Sequence, residues 1–142
     1  MSQQFQHDVL VIGSGAAGLT LALQLGKNLK VAVISKGAVN QGSTYWAQGG
    51  IAAVLDDEDS IEAHVEDTLV AGANLCHPDA VTFTVENSRD TINWLVQEGV
   101  EFSRNADKEQ SFHLTKEGGH SKRRIIHSAD ATGRAVSETL TL

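Results

Sequence analysis

An α/β fold that begins on parallel strands is predicted by three features of the sequence. The first is the stretch His7–Gly18, HDVLVIGSGAAG, in which an apolar run enters Gly13-Ser14-Gly15-Ala16-Ala17-Gly18 and an Ala/Leu-rich run follows at once. Strand, tight turn and helix in that order give each glycine of G-x-G-x-x-G a separate task. Gly13 permits the turn, Gly15 lets the backbone approach a pyrophosphate, and Gly18 lets the helix pack close to the strand. The second feature is another apolar run, Val31–Ile34, which completes a β-α-β unit of about thirty residues with a right-handed crossover. The third is the glycine distribution: 13 glycines against 1 proline, clustered at 13–18, 42–50 and 118–119. Such clusters suit backbone brought close to a ligand, and surface turns need glycine too.

Taken in order, residues 8–12 read as a strand buried on both faces, because a short continuous apolar run lacks the alternation of a half-exposed strand. Ala16–Gly26 reads as a helix with Leu19, Leu23 and neighbouring alanines toward the sheet, and Lys27-Asn28 breaks it. Val31–Ile34 is the second strand of a Rossmann-like start. An acidic residue near the end of that strand ordinarily binds ribose hydroxyls. Here the position holds Ser35, followed by Lys36. A serine bonds a hydroxyl less strongly than a carboxylate does, and Lys36 either reaches a phosphate or sits in solvent. The missing acid weakens a plain NAD-dehydrogenase reading.

Residues 37–51, GAVNQGSTYWAQGGI, read as neither helix nor ordinary strand. Gly42, Ser43, Thr44, Gly49 and Gly50 offer backbone donors with little side-chain obstruction, a lining for a flat polar ring system. Tyr45 and Trp46 either cover a ring face or belong to the core. Asp59 and Glu62 have capping-box spacing ahead of a helix over 60–73, on which Ile61, Val65 and Leu69 recur at helical intervals. His64 and Glu66-Asp67 read as its solvated face. Pro78 suits a first helical turn, and 80–98 reads as one broken helix or two short ones, carrying Val81, Val85, Ile92, Leu95 and Val96 and ended by Gly99. Val100–Ser103 and Ser111–Leu114 are expected to pair as strands across the polar loop 104–110. In His113–Arg124, HLTKEGGHSKRR, an acid, a glycine pair, a hydroxyl and several cations fall within a dozen residues. This is either an anion pocket, with Arg123 or Arg124 pairing a carboxylate in bidentate fashion, or a charged surface loop. Asp130–Gly133 reads as a turn capping a last helix, Arg134–Leu142.

Composition narrows the function classes. The 142 residues are 41% hydrophobic and 20% charged, ordinary for a globular domain with a core. A net charge of −7 argues against tracking nucleic-acid phosphates, and Lys122-Arg123-Arg124 is too short a basic cluster to reverse that. The single cysteine, Cys76, excludes an internal disulfide, fits a reducing compartment and reads as an inert thiol. Apolar runs fall short of the roughly 18 to 20 residues a bilayer requires. No signal-peptide pattern precedes Val9, so the cytoplasm is the expected location. His7, His64, His77, His113, His120 and His127 lack the paired spacing of metal ligands. No G-x-S-x-G elbow and no Walker motif occurs.

Together VLVIGSGAAGLTLAL, ISKG, GSTYWAQGGIAAV, HVEDTLVAG, HLTKEGGHSKRRIIH and ADATGR resemble the L-aspartate oxidases, FAD enzymes of NAD biosynthesis. These stand within the fumarate reductase and succinate dehydrogenase flavoprotein group, and the resemblance covers nearly the whole chain. It implies FAD with its diphosphate over Gly13, Ser14, Gly15, Ala16, Ala17 and Gly18 and its ribose near Ser35 and Lys36. The isoalloxazine is then expected against Ser43, Thr44, Tyr45, Trp46, Ala47, Gln48, Gly49 and Gly50. Succinate dehydrogenase relatives carry a covalent flavin link on a histidine whose place here is Ser43, which implies noncovalent FAD. Glu117 stands where those relatives carry an apolar residue, and in aspartate oxidases this acid is thought to orient the substrate amino group. Aspartate differs from succinate by one ammonium, for which a carboxylate is the natural partner. The implied reaction is oxidation of L-aspartate to iminoaspartate by hydride transfer from Cα to flavin N5, with oxygen or fumarate as acceptor and quinolinate synthase downstream.

Enzymes of this family are several times longer. Residues 1–142 are therefore expected to be the N-terminal part of an FAD-binding domain, with the capping and C-terminal helical domains outside them. The arginine of proton transfer would also lie outside, so this fragment alone is expected to be inactive and to hold FAD weakly or not at all. Two alternatives are a fumarate reductase or succinate dehydrogenase type of flavoprotein, and a non-catalytic nucleotide-binding module.

Overall fold

A short apolar strand followed by a glycine turn and a helix of alanines and leucines sets up the first element pair. In the computed structural model, which describes residues 3–141 and the side chains of all of these but 108–110, they are β1 (Val9–Ile12) and α1 (Ala16–Gly26). The chain divides into two compact units, the first running to Gln48 and resuming at Gly133, the second Gly49–Thr132.

In the first unit β2 (Val31–Ile34) pairs parallel with β1 in the register Val9↔Val31 to Ile12↔Ile34, giving the expected α/β, Rossmann-like start. The expectation that β1 is buried on both faces is corrected. Val11 is buried, but Leu10 is 57%, Ile12 81% and Ile34 50% exposed. Successive side chains point to opposite faces, and α1 covers only the Val11 face. The helix phase differs as well: Gly18 makes the close approach, Leu19 is buried, and Leu23 is 38% exposed rather than turned to the sheet. Residues 37–51, expected to lack regular structure, contain a four-residue helix, α2 (Ser43–Trp46), and a two-residue strand, β3 (Ile51–Ala52). Extended backbone at Gly42 starts α2 and at Ala47 ends it.

The second unit contains β3, three helices and two small antiparallel sheets. Helix α3 (Ile61–Ala71) is capped by Ser60, whose hydroxyl accepts from the Ala63 N–H at 3.1 Å; Asp59, expected as the cap, points elsewhere. The stretch 80–98 resolves into two helices, α4 (Pro78–Glu86) and α5 (Ser88–Glu98), with Pro78 in the first turn of α4. Left-handed Gly99, φ 108°, ends α5 and turns the Val100 N–H back onto the Leu95 carbonyl at 2.9 Å. That helix-end bond is one reason 100–103 is not the expected strand. The hairpin forms farther on, between β4 (Arg104–Asn105) and β5 (Lys108–Phe112). Residues 111–114 divide between β5 and β6 (Leu114–Thr115), which pairs with β7 (Ile125–Ile126) in a sheet ordered β3-β7-β6. Ala53, Val54, Val85, Ile92, Leu95, Val100, Phe102, Ile125 and Ile126 form this unit's buried apolar set. Gly50 is pressed on β7, since a Cβ there would meet Ile125 Cγ2 at 2.5 Å.

The last helix, α6, is Thr132–Thr139 rather than Arg134–Leu142, and Leu142 lies outside the described residues. In the first unit Gly133 docks it against α2: the Gly133 N–H donates to the Ala47 carbonyl at 3.0 Å, and a Cβ would strike the Thr44 carbonyl.

Candidate functional site

The glycine turn adopts the geometry its sequence anticipates. Gly13 has φ +107°, a region costly for any side chain, and its N–H donates to the Ile34 carbonyl at 2.8 Å, binding the turn to β2. A Cβ on Gly18 would collide with the Gly13 carbonyl oxygen and press Val11 Cγ1 at 3.3 Å, so the helix-to-strand contact requires glycine. The first turn of α1 contains no acidic residue. Helix geometry leaves its first N–H groups without intrahelical acceptors, aimed with the positive end of the helix dipole toward solvent.

One of those groups is already satisfied: the Ala16 N–H donates to Thr44 Oγ1 at 3.0 Å. Thr44 thereby ties α2 to the start of α1, and together they wall an open cleft of about 620 Å³. Gly13, Ser14, Gly15, Ser35, Lys36, Ser43 and Thr44, all anticipated from the sequence, line it, joined by Gly37, Ala38, Gln41 and Gly42. No lining residue is acidic, and Lys36 brings a positive charge. Ser35 Oγ donates to the Gly37 carbonyl, leaving its lone pairs to accept from a ligand hydroxyl. An acid-free cleft with a cation, small residues and a helix N-terminus fits a diphosphate. Gln41 and Ala38 line it without having been anticipated; they sit in the turn after β2, whose path the sequence does not reveal.

Other anticipated residues lie apart from this cleft. Ala16 and Ala17 form the first turn of α1 and Gly18 lies behind it. Tyr45 and Trp46 stack edge to face at 5.1 Å; Trp46 is 70% exposed, and the Arg134 guanidinium lies over the Tyr45 ring at 5.6 Å. Ala47 serves α6 through its carbonyl, Gln48 is exposed, and Gly49 and Gly50 belong to the second unit.

In the second unit Glu117 is exposed on the loop joining β6 to β7, its carbonyl accepting from the His120 N–H at 3.2 Å. Behind this loop lies a charge cluster that corrects two expectations. Arg124 is fully buried and forks onto Asp59, Nε to Oδ2 and Nη2 to Oδ1 each at 2.7 Å, while Nη1 reaches Asp67 Oδ2 at 2.7 Å. The bidentate partner of Arg124 is thus the protein's own carboxylate. Lys116, Lys122 and Arg123 line an open cleft of about 520 Å³ together with Asp56, Glu58 and Asp59, so its charge is mixed. Of the α3 face expected to be solvated, Glu66 is exposed, but His64 is 5% exposed with no protein partner at Nδ1, and Asp67 is half-buried. For His64 the signal was available, because it follows Ile61 at an interval of three, on its side of the helix.

Electrostatics follow from this packing. Hydrogen bonds from Ser121, the backbone N–H first, and from Arg124 overcome burial and hold Asp67 at about 2. Burial works to raise Asp59, but the Arg124 and Ser60 hydrogen bonds outweigh it and lower the group. Burial, then the charge of Arg124 and His120, pushes His64 below its ordinary value. Four of the six histidines, scattered in sequence, meet as two pairs: His113 Nδ1 lies 2.9 Å from His127 Nε2, and the His64 and His120 rings are 5.6 Å apart. Among the described residues no group of three or more His, Cys, Asp or Glu is arranged to hold a metal, and no helix is long and apolar enough to cross a membrane.

Comparison with known proteins agrees with the cleft. The sequence profile of the family described as FAD binding domain matches residues 8–141. The chain is 66% identical over 145 aligned residues to an L-aspartate oxidase of Pseudomonas aeruginosa, covering 99% of this chain and 27% of that protein. It is 56% identical to an L-aspartate oxidase of Yersinia pestis, covering 98% and 26%. The fold superposes on an E. coli quinol fumarate reductase with TM-score 0.90 and 36% identity, over 99% of this chain and 24% of that one. The chain therefore spans about a quarter of the length of the curated relatives it matches.

Proposed function

The chain belongs to the FAD binding domain family, and on that premise we propose that it is the diphosphate-binding start of a flavoenzyme that oxidises L-aspartate to iminoaspartate in NAD biosynthesis. The carrying observation is the acid-free cleft at the α1 N-terminus, lined by Gly13, Gly15, Ser35 and Lys36. There Gly15 and the free N–H groups of α1 hold the diphosphate, Lys36 offsets its charge, and Ser35 accepts from a ribose hydroxyl. Ser43, which stands where the succinate dehydrogenase relatives carry the linking histidine, lines this cleft, which supports noncovalent FAD. FAD, when bound, would supply the redox chemistry as hydride acceptor, and the residues of this chain would orient it and offset its charge. Tyr45, Trp46, Ala47, Gln48, Gly49 and Gly50 we assign to the ring end of the cofactor. Fumarate or oxygen is the proposed acceptor, quinolinate synthase the downstream partner, and the cytoplasm the location.

Residues 1–142 are one part of an FAD-binding domain in this reading, with capping and helical domains elsewhere in a longer polypeptide. The bare apolar face of β1 and β2, with Ile12 81% exposed, supports this, because parallel sheets are covered on both faces.

Glu117 is the proposed partner of the aspartate ammonium. In the full-length flavoprotein, Glu117→Gln is expected to raise KM for aspartate about tenfold, the scale of one lost charged hydrogen bond, with KM for fumarate unchanged. Equal effects on both substrates, or none, would favour a fumarate reductase type of enzyme, which the structural likeness to that group also suits. A yellow protein with a flavin spectrum separates both from a plain NAD module.

A further inference from the structure

The loop that carries Glu117 has little of its own to hold it. Residues 116–119 are exposed, two of them are glycine, and Gly119 stands at φ +83°. The turn from Glu117 to His120 is closed by one backbone bond. One residue beyond that turn, however, the chain is clamped to α3 from 54 positions away. Asp67 Oδ2 accepts from the Ser121 N–H at 2.6 Å, from Ser121 Oγ at 2.7 Å and from Arg124 Nη1 at 2.7 Å.

We infer that Asp67 is a positioning residue for Glu117: three donors converging on Oδ2 fix the turn from which that acid projects. The inference rests on the reading above that Glu117 meets the substrate ammonium. Three features make α3 a firm anchor. Arg124, which shares Oδ2, is itself locked by its fork on Asp59 and leads directly into β7, where its carbonyl accepts from the Ala53 N–H at 3.0 Å. Gly119 sits against the last turn of α3, where a Cβ would touch Ala71 Cβ at 3.5 Å. Asp67 is also ionised across the physiological range, so its bonds to the loop are charge-assisted. Without Asp67 the segment 116–121 keeps its ends in β6 and β7 and the contacts of His120 with His64 and Arg124, but loses both hydrogen bonds that hold Ser121 to α3. The carboxylate of Glu117 then samples positions away from the ammonium, and the binding of aspartate suffers while steps that do not use Glu117 are spared.

The test uses the full-length flavoprotein with three variants. Asp67→Ala removes the clamp, Ser121→Ala removes one bond at an exposed hydroxyl, and Asp67→Asn keeps an oxygen that can accept. Expected are a rise of about tenfold in KM for aspartate for Asp67→Ala, a smaller rise for Ser121→Ala, and substantial recovery in Asp67→Asn, on the scale of charged hydrogen bonds. KM for fumarate and flavin content stay near the parent values. In a Glu117→Gln background, Asp67→Ala adds less than about twofold, because the two act through one contact. Unchanged aspartate KM in both Asp67→Ala and Ser121→Ala, equal losses on both substrates, or full additivity with Glu117→Gln overturns the inference. Should Asp67→Ala fail to accumulate, Ser121→Ala decides alone. Hydrogen exchange over 116–121 reads the clamp separately and is expected to speed up about tenfold in Ser121→Ala. Unchanged exchange overturns the clamp whatever Glu117 does. Faster exchange with a silent Glu117→Gln instead refutes the assignment of Glu117 and leaves the clamp standing.

Discussion

Replacing Arg124 by methionine should loosen the β3-β7-β6 sheet by a large and calculable amount. The guanidinium is 0% exposed and serves two carboxylates, Asp59 at 2% and Asp67 at 16% side-chain exposure, through N–H···O distances of 2.7 Å. Two unit charges about 4 Å apart interact by about 4 kcal/mol at an effective dielectric near 20. Removing one partner of a buried pair costs about 3 to 5 kcal/mol, because a charge is left out of water without compensation. Methionine fills most of the volume, so the loss is electrostatic rather than a cavity. Against a domain stability of roughly 5 to 15 kcal/mol, that opens the sheet locally before it unfolds the protein. The assay is amide hydrogen exchange in peptides covering Ile125–Ile126, expected to accelerate by about two to three and a half orders of magnitude at 1.4 kcal/mol per decade. The triple variant Asp59→Asn, Asp67→Asn, Arg124→Met leaves no charge stranded and should recover much of the protection. Acceleration below about tenfold in Arg124→Met, or a triple variant worse than the single one, would refute the reasoning.

The same substitution at two glycines of α1 should have opposite signs. Gly18→Ala must force α1 off the Gly13 carbonyl and is expected to cost about 1 to 3 kcal/mol and to lower flavin content per polypeptide. Gly26→Ala meets nothing within 4 Å and should stabilise by about 0.4 to 1 kcal/mol in a urea titration, with flavin content unchanged. Buried His64 introduces a pH dependence. Its folded-state value lies below the ordinary 6.5, so the unfolded chain binds the proton first. The stability that neutral His64 contributes is full above 6.5 and is lost as pH falls through the lowered value. Urea midpoints at pH 7.5 and 5 should converge in His64→Leu relative to the parent; an unaltered difference between the two pH values would remove His64 as the cause.

Residues whose conformation is dictated locally were legible without a structure. The β1-turn-α1 unit, the roles of Gly13 and Gly18 and the start of α4 at Pro78 follow from φ restrictions and periodicity over a few neighbours. The cleft was legible for the same reason, since Gly13–Gly15, Ser35 and Lys36 occupy the two strand ends that a parallel pair must bring side by side. Two misreadings concern partners far away in the chain, and a third a partner five residues back. Asp59 has the spacing of a helix cap, yet Ser60 takes that place and Asp59 turns to a guanidinium 65 residues on. Asp67 is polar, and its donors Ser121 and Arg124 lie 54 and 57 residues away. Val100–Ser103 has the composition of a strand, but Gly99 folds its first N–H back onto α5.

The sequence by itself determined the nucleotide-binding start of this protein, because a glycine that must adopt φ +107° and another that cannot carry a Cβ are local demands that any observer can read from residue type. Tertiary structure alone decided what the charges do. Eighteen acidic and eleven basic side chains can pair in many ways, and composition does not say which pairs leave water. Folding selected Arg124 for two carboxylates, spent no acid on the cleft, and left Glu117 exposed on a loop clamped by Asp67. Those outcomes depend on desolvation and distance, which exist only once the chain is folded.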